Sequence, residues 1–265
     1  MEVSWGACSD TGVRRAANED AYLAGTPVFL VADGMGGHAG GAAASARALD
    51  GFRDLVGSPV TAVDAVRAAF ARAVAHVDEI AAGPASPGTT LSGVVVCEER
   101  GMPHWLVLNI GDSRTYRFAA GTLEQISIDH SAVQALIDGG SLSAAEAERH
   151  PERHVITRAV GAGSSGLPDY WLFPVGHDDR ILVCSDGLSK EVPDEAIRAI
   201  LADEETAPGA AHRLVREALE RGGRDNVTVV VVDARLDDRT EGIDDIDEDT
   251  IPRSVPAEEA HRVEI

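Results

Sequence analysis

The chain has 265 residues, 44% of them hydrophobic but only 4% aromatic, so any large core must be built mainly from aliphatic side chains. The net charge is −21, of which residues 236–265, with 11 acidic and 3 basic side chains, contribute −8 and the remainder −13. A surface this acidic repels nucleic acid and anionic lipid, which argues against binding to either.

The same charge repels phosphate. A chain of this kind that handles a phosphorylated group needs a local source of positive charge, and bound divalent cations are the obvious one. Three cysteines, Cys8, Cys97 and Cys184, lie in or beside apolar runs and read as small core residues rather than as a disulfide framework or zinc site. The N-terminal MEVSWGACSD lacks the basic-then-apolar pattern of a signal peptide, and no apolar run approaches the ~20 residues of a membrane helix. The expectation is a cytoplasmic protein that contacts no membrane.

In chain order, Val28 to Ala32 is continuously apolar and predicts a strand. Alanine-rich Gly40 to Leu55, following a glycine cluster, predicts a helix. A second helix is predicted over Val60 to Ala82, where Val63, Val66, Phe70, Val74, Val77 and Ile80 recur at spacings of three and four. Leu91 to Cys97 and Trp105 to Ile110 predict two more strands. Thr115 to Phe118 and Thr122 to Ile126 flank Gly121 as a hairpin. Residues 129–165 are polar and turn-rich and read as an insertion. Strands follow at Ile181 to Cys184 and Val227 to Val232. Between them lie helices at Asp194 to Leu201, behind Pro193, and at Pro208 to Arg221, closed by Gly222 and Gly223. Strands apolar on both faces are buried on both sides. The order fits an α+β fold, a central pair of sheets with helices packed outside. Residues 236–265 lose all periodicity and read as a disordered acidic tail after a domain of residues 1–235.

Acidic residues recur where these strands meet glycine turns. Asp33 precedes Gly34, Asp112 follows Gly111, Asp186 precedes Gly187, and Asp225 stands directly before the valine strand. One aspartate beside a glycine is ordinarily a turn. Four beside buried strands can converge, and four converging carboxylates repel strongly unless hard divalent cations such as Mg²⁺ or Mn²⁺ relieve them.

Five segments together resemble the metal-dependent protein phosphatases, the type 2C serine/threonine phosphatases, and bacterial members most of all. They are Arg15-Ala16-Ala17-Asn18-Glu19-Asp20, Asp33-Gly34-Met35-Gly36-Gly37-His38, Gly111-Asp112-Ser113-Arg114, Cys184-Ser185-Asp186-Gly187 and Asp225-Asn226-Val227-Thr228. The resemblance covers residues 4–234 and is specific through the order and spacing of the segments. It implies a sandwich of two antiparallel sheets with helices on both outer faces, and a flap over about 130–165. It also implies hydrolysis of phosphoserine or phosphothreonine in proteins. A water activated by two Mn²⁺ or Mg²⁺ ions, ~3.5–4 Å apart, would attack phosphorus in line with no phosphoenzyme.

Residue by residue, the resemblance implies that Asp33 bridges both metals and that the Gly34 carbonyl reaches one of them. Asp186 and Asp225 complete the first metal, Glu19 serves the second through water, and Asp112 with Asp186 takes a third, weaker ion. Asp20 orients metal-bound water, Asn226 supports the Asp225 loop, and Arg15 grips the substrate phosphate, which its planar fork matches.

Met35 stands where many eukaryotic relatives carry a histidine proposed as general acid, which leaves His38 or a metal-bound water for that task. His150 and His154 have a helical zinc spacing, but Pro151 and the lack of a third ligand argue against zinc. Arg153 and Arg158 either serve the flap or are surface charges. In the tail, Thr250 sits in Asp247-Glu248-Asp249-Thr250-Ile251-Pro252-Arg253, where its phosphorylation would create a docking site for a phosphothreonine reader. Expected partners are phosphorylated proteins, including a serine/threonine kinase or its substrates. Two other readings stand beside the leading one: a catalytically dead relative that binds phosphoproteins, and a phosphatase for a client such as an anti-sigma-factor antagonist.

Overall fold

The runs that are apolar on both faces become strands covered on both faces. In the computed structural model, which describes residues 1–36, 39–80, 86–147, 149–164, 166–236 and 261–262, two sheets lie face to face with helices outside each. In chain order the elements are β1 (Glu2–Asp10), β2 (Asp20–Gly25), β3 (Val28–Met35), α1 (Ala39–Asp50), α2 (Val63–Asp78), β4 (Gly88–Thr89), β5 (Leu91–Glu99), β6 (Met102–Ile110), β7 (Arg114–Ala119) and β8 (Thr122–Gln125). They continue with α3 (Ala132–Asp138), α4 (Ala144–Ala147), β9 (Val160–Gly161), β10 (Asp169–Pro174), β11 (Asp178–Cys184), α5 (Asp186–Ser189), α6 (Asp194–Asp203), α7 (Ala207–Arg221), β12 (Val227–Arg235) and β13 (His261–Arg262).

One sheet has the order β1-β12-β11-β7-β8. The other runs β13-β10-β6-β5-β3-β4-β9, with β2 on the free side of β3. All strand pairs are antiparallel. The period-two alternation of strands sorts the side chains into three cores. Phe29, Val31, Val94, Trp105, Val107, Ile181, Val183, Val230 and Val232 point between the sheets. Val28, Leu30 and Ala32 point outward against α1 and α2. Leu182, Cys184, Val229 and Val231 point outward against α6 and α7. Cys97 and Cys184 are fully buried, and Cys8 packs partly against the third core, so the cysteines are core residues as expected.

Several boundaries differ from the sequence expectation. The first helix stops at Asp50, where Gly51 packs against Ala69 and Ala73 of α2, and Arg53–Leu55 continues only as a 3-10 turn. A Cβ on Gly51 would lie 2.6 Å from the Ala73 nitrogen, so the close helix crossing requires glycine there. The second helix begins at Val63, since residues 60–62 extend to bridge Thr61 to Cys97. Strand β1 escapes a hydrophobicity pattern because Ser4, Gly6 and Ser9 interrupt it, whereas β2 and β10 carry only the short apolar runs Ala21–Ala24 and Tyr170–Phe173. The insertion holds α3, α4 and β9 and is tied at its base by a Ser131–Ile156 bridge. Of the tail, His261–Arg262 pairs with Trp171 and Leu172 at the edge of β10. Thr250 and the rest of residues 237–260 and 263–265 lie outside the described residues. No described helix is long and apolar enough to cross a membrane.

The inter-sheet core holds the two halves in register. Phe29→Ala opens a cavity in it and is expected to destabilise the protein by ~3–5 kcal/mol, read from the denaturant midpoint at unchanged slope.

Candidate metal centre

Strand alternation carries past the apolar runs to the site. Phe29, Val31 and Asp33 share one face of β3, so Asp33 emerges at the end of the inter-sheet core. The β2–β3 register sets Asp20 directly opposite Asp33. Like charges facing across antiparallel strands repel, and nothing in the pairing itself relieves them. The Asp33 backbone is held by a break in the neighbouring strand. Its N–H donates to Thr90 Oγ1 at 2.9 Å, and its carbonyl accepts from the Thr90 N–H at 2.9 Å.

Glycines let the surrounding chain close in. A Cβ on Gly34 would lie 2.2 Å from the Gly41 carbonyl oxygen and 2.5 Å from that of Glu19, so the start of α1 and the end of the 11–19 loop can meet only around a bare backbone. Asn226 then pins that loop. Its Oδ1 accepts from the Glu19 N–H at 2.9 Å, and its Nδ2 donates to the carbonyls of Thr11 at 2.8 Å and Ala17 at 2.9 Å. A chain of hydroxyls continues the frame: Asn18 Nδ2 donates to Ser9 Oγ, Ser9 pairs with Thr228, and Ser185 Oγ donates to Asp20 Oδ2 at 2.7 Å.

The result is a cleft of about 420 Å³ whose walls include Arg15, Glu19, Asp33, Gly34, Asp112, Asp186, Asp225 and Asn226. All the sequence-predicted site residues except Asp20 and His38 therefore line one cavity. Asp20 stands behind Asp33, and His38 lies outside the described residues. Arg15 is half exposed at the cleft and donates to Asp225 Oδ2 at 2.7 Å.

The electrostatics are those of crowded acids. Burial pushes the Asp20 carboxyl up to about 7, with Asp186 and Asp225 adding to the rise against hydrogen bonds from Ser185 and Thr228. Asp112 rises to about 7 through burial and Asp186. Asp33 is raised well above the carboxylate range by burial, Asp20 and Asp186. Four carboxylate oxygens, Glu19 Oε1, Asp20 Oδ1, Asp112 Oδ1 and Asp186 Oδ1, are buried without a hydrogen-bond partner.

Oxygen-only donors, orphaned and mutually repelling, fit hard divalent cations. Among the described residues no three His, Cys, Asp or Glu side chains close around one point as a finished cage. That openness fits ions such as Mg²⁺, which keep several waters and take few protein ligands.

Besides Ile156, two ionisable residues belong to the cleft that the motifs did not assign to it. Lys190 is one turn after Asp186, and its ammonium contacts Asp186 Oδ2 and lies 3.6 Å from Asp112 Oδ2. Its i,i+4 spacing from Asp186 was the available signal. His154 of the insertion also lines the cleft, its pKa lowered by burial and by Lys190 and Arg153, whereas His150 is not among the lining residues. Arg158 does not reach the cleft: it is paired with Asp169 at 3.0 Å. Arg114, in the Gly111–Arg114 segment, likewise anchors the insertion through Asp129 at 2.7 Å.

A sequence profile described as Protein phosphatase 2C matches residues 13–224, and the chain belongs to that family. The serine/threonine protein phosphatase PstP of Mycobacterium tuberculosis is 40% identical over 239 residues, 88% of this chain and 45% of PstP, so the chain spans about half that relative. The protein phosphatase PhpP of Streptococcus pneumoniae is 31% identical over 251 residues, 90% of this chain and 99% of PhpP. Among solved structures, the catalytic domain of PstP in complex with 2 manganese ions is similar with a TM-score of 0.79 at 36% identity, covering 88% of this chain and 98% of that one.

The raised carboxyls make the stability of the metal-free protein depend on pH. Asp20 and Asp112 bind protons more tightly folded than unfolded, so the stability they contribute is full below the unfolded carboxylate range and is lost as pH rises toward about 7. In EDTA, the melting temperature is expected to fall between pH 4.5 and 7.5. Mn²⁺ should reverse that slope, since ions compete with protons for the same oxygens.

Proposed function

We propose that this chain is a metal-dependent serine/threonine protein phosphatase, which hydrolyses phosphoserine and phosphothreonine in proteins. The observation that carries the reading is the meeting of Asp33, Asp186, Asp225 and Glu19, with buried unpartnered oxygens, in one cleft beside Arg15. The kinship with PstP and PhpP supports it, as does the manganese in the PstP catalytic domain.

Asp33, Asp186, Asp225, Glu19 and the Gly34 carbonyl are the residues to hold two Mn²⁺ or Mg²⁺ ions. When bound, such ions neutralise phosphate charge and lower the pKa of water. The residues of the chain do the rest. Arg15, steadied by Asp225, presents guanidinium donors to the phosphate oxygens at the cleft mouth. Asp20, held by Ser185 directly opposite Asp33, is a positioning residue behind the cleft wall, its unpartnered Oδ1 left as an acceptor. Asn226 is a positioning residue: it ties Glu19 and the Arg15 loop to the Asp225 turn.

The reaction is a single in-line displacement. The water oxygen bonds to phosphorus as the bond to the serine or threonine oxygen breaks. Among the described lining residues there is no cysteine, serine, threonine or tyrosine on which a phosphoenzyme could form, and the reading gives the lining aspartates to the metals. The cleft has no cysteine, Cys97 and Cys184 are pushed up to about 12 by burial, and Ser185 Oγ is committed to Asp20.

The wild-type protein is expected to release phosphate from a phosphothreonine peptide only with Mn²⁺ or Mg²⁺, and Asp33→Asn to lower kcat/KM at least ~10²-fold while remaining folded. Metal-dependent turnover that survives Asp33→Asn would overturn the reading, and no turnover by the folded, metal-loaded wild type would favour a phosphoprotein-binding module. Asn226→Ala removes three hydrogen bonds behind the ligands and is expected to weaken Mn²⁺ binding ~10–100-fold by calorimetry, with an unchanged circular dichroism spectrum.

A further inference from the structure

Among 23 basic residues the chain has a single lysine, and it stands in the metal cleft. Lys190 closes the short turn that begins at Asp186. Its N–H donates to the Asp186 carbonyl at 2.9 Å, which puts the two side chains on one face at i,i+4 spacing. The ammonium contacts Asp186 Oδ2 and lies 3.6 Å from Asp112 Oδ2. It is thus set between the two acids that the family resemblance gives to a third, weaker cation. Asp112 and Asp186 are 5% and 8% exposed, so they share a counter-charge with little help from solvent.

We infer that Lys190 is a built-in third cation: its ammonium occupies the Asp112–Asp186 pair, so that this centre takes two divalent ions and not three. The inference rests on the reading of Asp33, Asp186 and Asp225 as the ligands of the metal pair. A compact, strongly hydrated ammonium with three donors suits the place, whereas a guanidinium is a wider planar fork. Lys190 draws on the Oδ2 oxygens of both acids, and a divalent ion brought to the same oxygens meets its positive charge. Tethering within one helical turn also makes the charge permanent, independent of metal concentration.

Equilibrium dialysis against Mn²⁺, with bound metal counted by atomic emission, tests this without reference to turnover. The wild type is expected to bind two ions per chain, and Asp112→Asn also two. Lys190→Met, which keeps the stem and removes the charge, should gain a third ion at millimolar Mn²⁺, and Lys190→Met with Asp112→Asn should lose it again. Three ions on the wild type, one of them removed by Asp112→Asn, would overturn the inference whether or not the Lys190 variants fold. A folded Lys190→Met that still binds two would overturn it as well. Asp33→Asn serves as the separate check on the metal pair: if it keeps both ions, the ligand assignment fails whatever Lys190 does.

Discussion

Carboxylates crowded at the open end of an apolar sandwich are the constraint on which this structure turns. The strands that deliver Asp33, Asp186 and Asp225 are stable because their apolar faces are buried twice over, between the sheets and under the helices. That same burial removes the water that would otherwise solvate the acids at the strand ends. Desolvation and mutual repulsion drive Asp20, Asp33 and Asp112 toward their protonated forms. The protein tolerates this because its rigid frame leaves the acids nowhere to go, and because cations can discharge the strain.

The frame is built from small, specific contacts rather than from hydrophobic area. Asn226 ties three backbone groups of the 11–19 loop to the start of β12, and Ser9, Thr228 and Ser185 carry hydrogen bonds through to Asp20. Gly34 and Gly41 permit a backbone approach that any side chain would block. On the other wall, His130 holds the Gly111–Asp112 turn, accepting from the Gly111 N–H at 3.2 Å while its other ring nitrogen pairs with Asp169. Arg158 meets the same carboxylate, so the base of the insertion and the Asp112 turn form one unit. Against burial, Arg158 and His130 keep Asp169 below the usual carboxylate range.

Positive charge at the cleft has three sources with different permanence. Divalent ions come and go with concentration. Arg15 is half exposed, leans on Asp225 and is positioned to meet a ligand. Lys190 is fixed one turn from Asp186 by the helix itself. On the proposed reading the first two serve chemistry and recognition, and the third stands where a further dissolved ion would otherwise be needed.

Much of this was legible before any coordinates. Continuous apolar runs at Val28, Trp105 and Val227 announced strands buried on both sides, and acids beside glycines at their ends marked the site, because period-two alternation and turn chemistry are local properties of the chain. Strand β1 was not legible, since polar and small residues break its pattern and its burial comes from β12, far away in sequence, while β2 and β10 offered only the short apolar runs Ala21–Ala24 and Tyr170–Phe173. The assignment of Asp186 to the site needed only its motif. That Lys190 faces both Asp186 and Asp112 is different in kind: Asp112 lies on another turn 78 residues away, brought there by the pairing of β7 with β11. Sequence alone determined which residues could carry the chemistry. Tertiary structure decided which of them share a dielectric environment close enough to feel one another's charge.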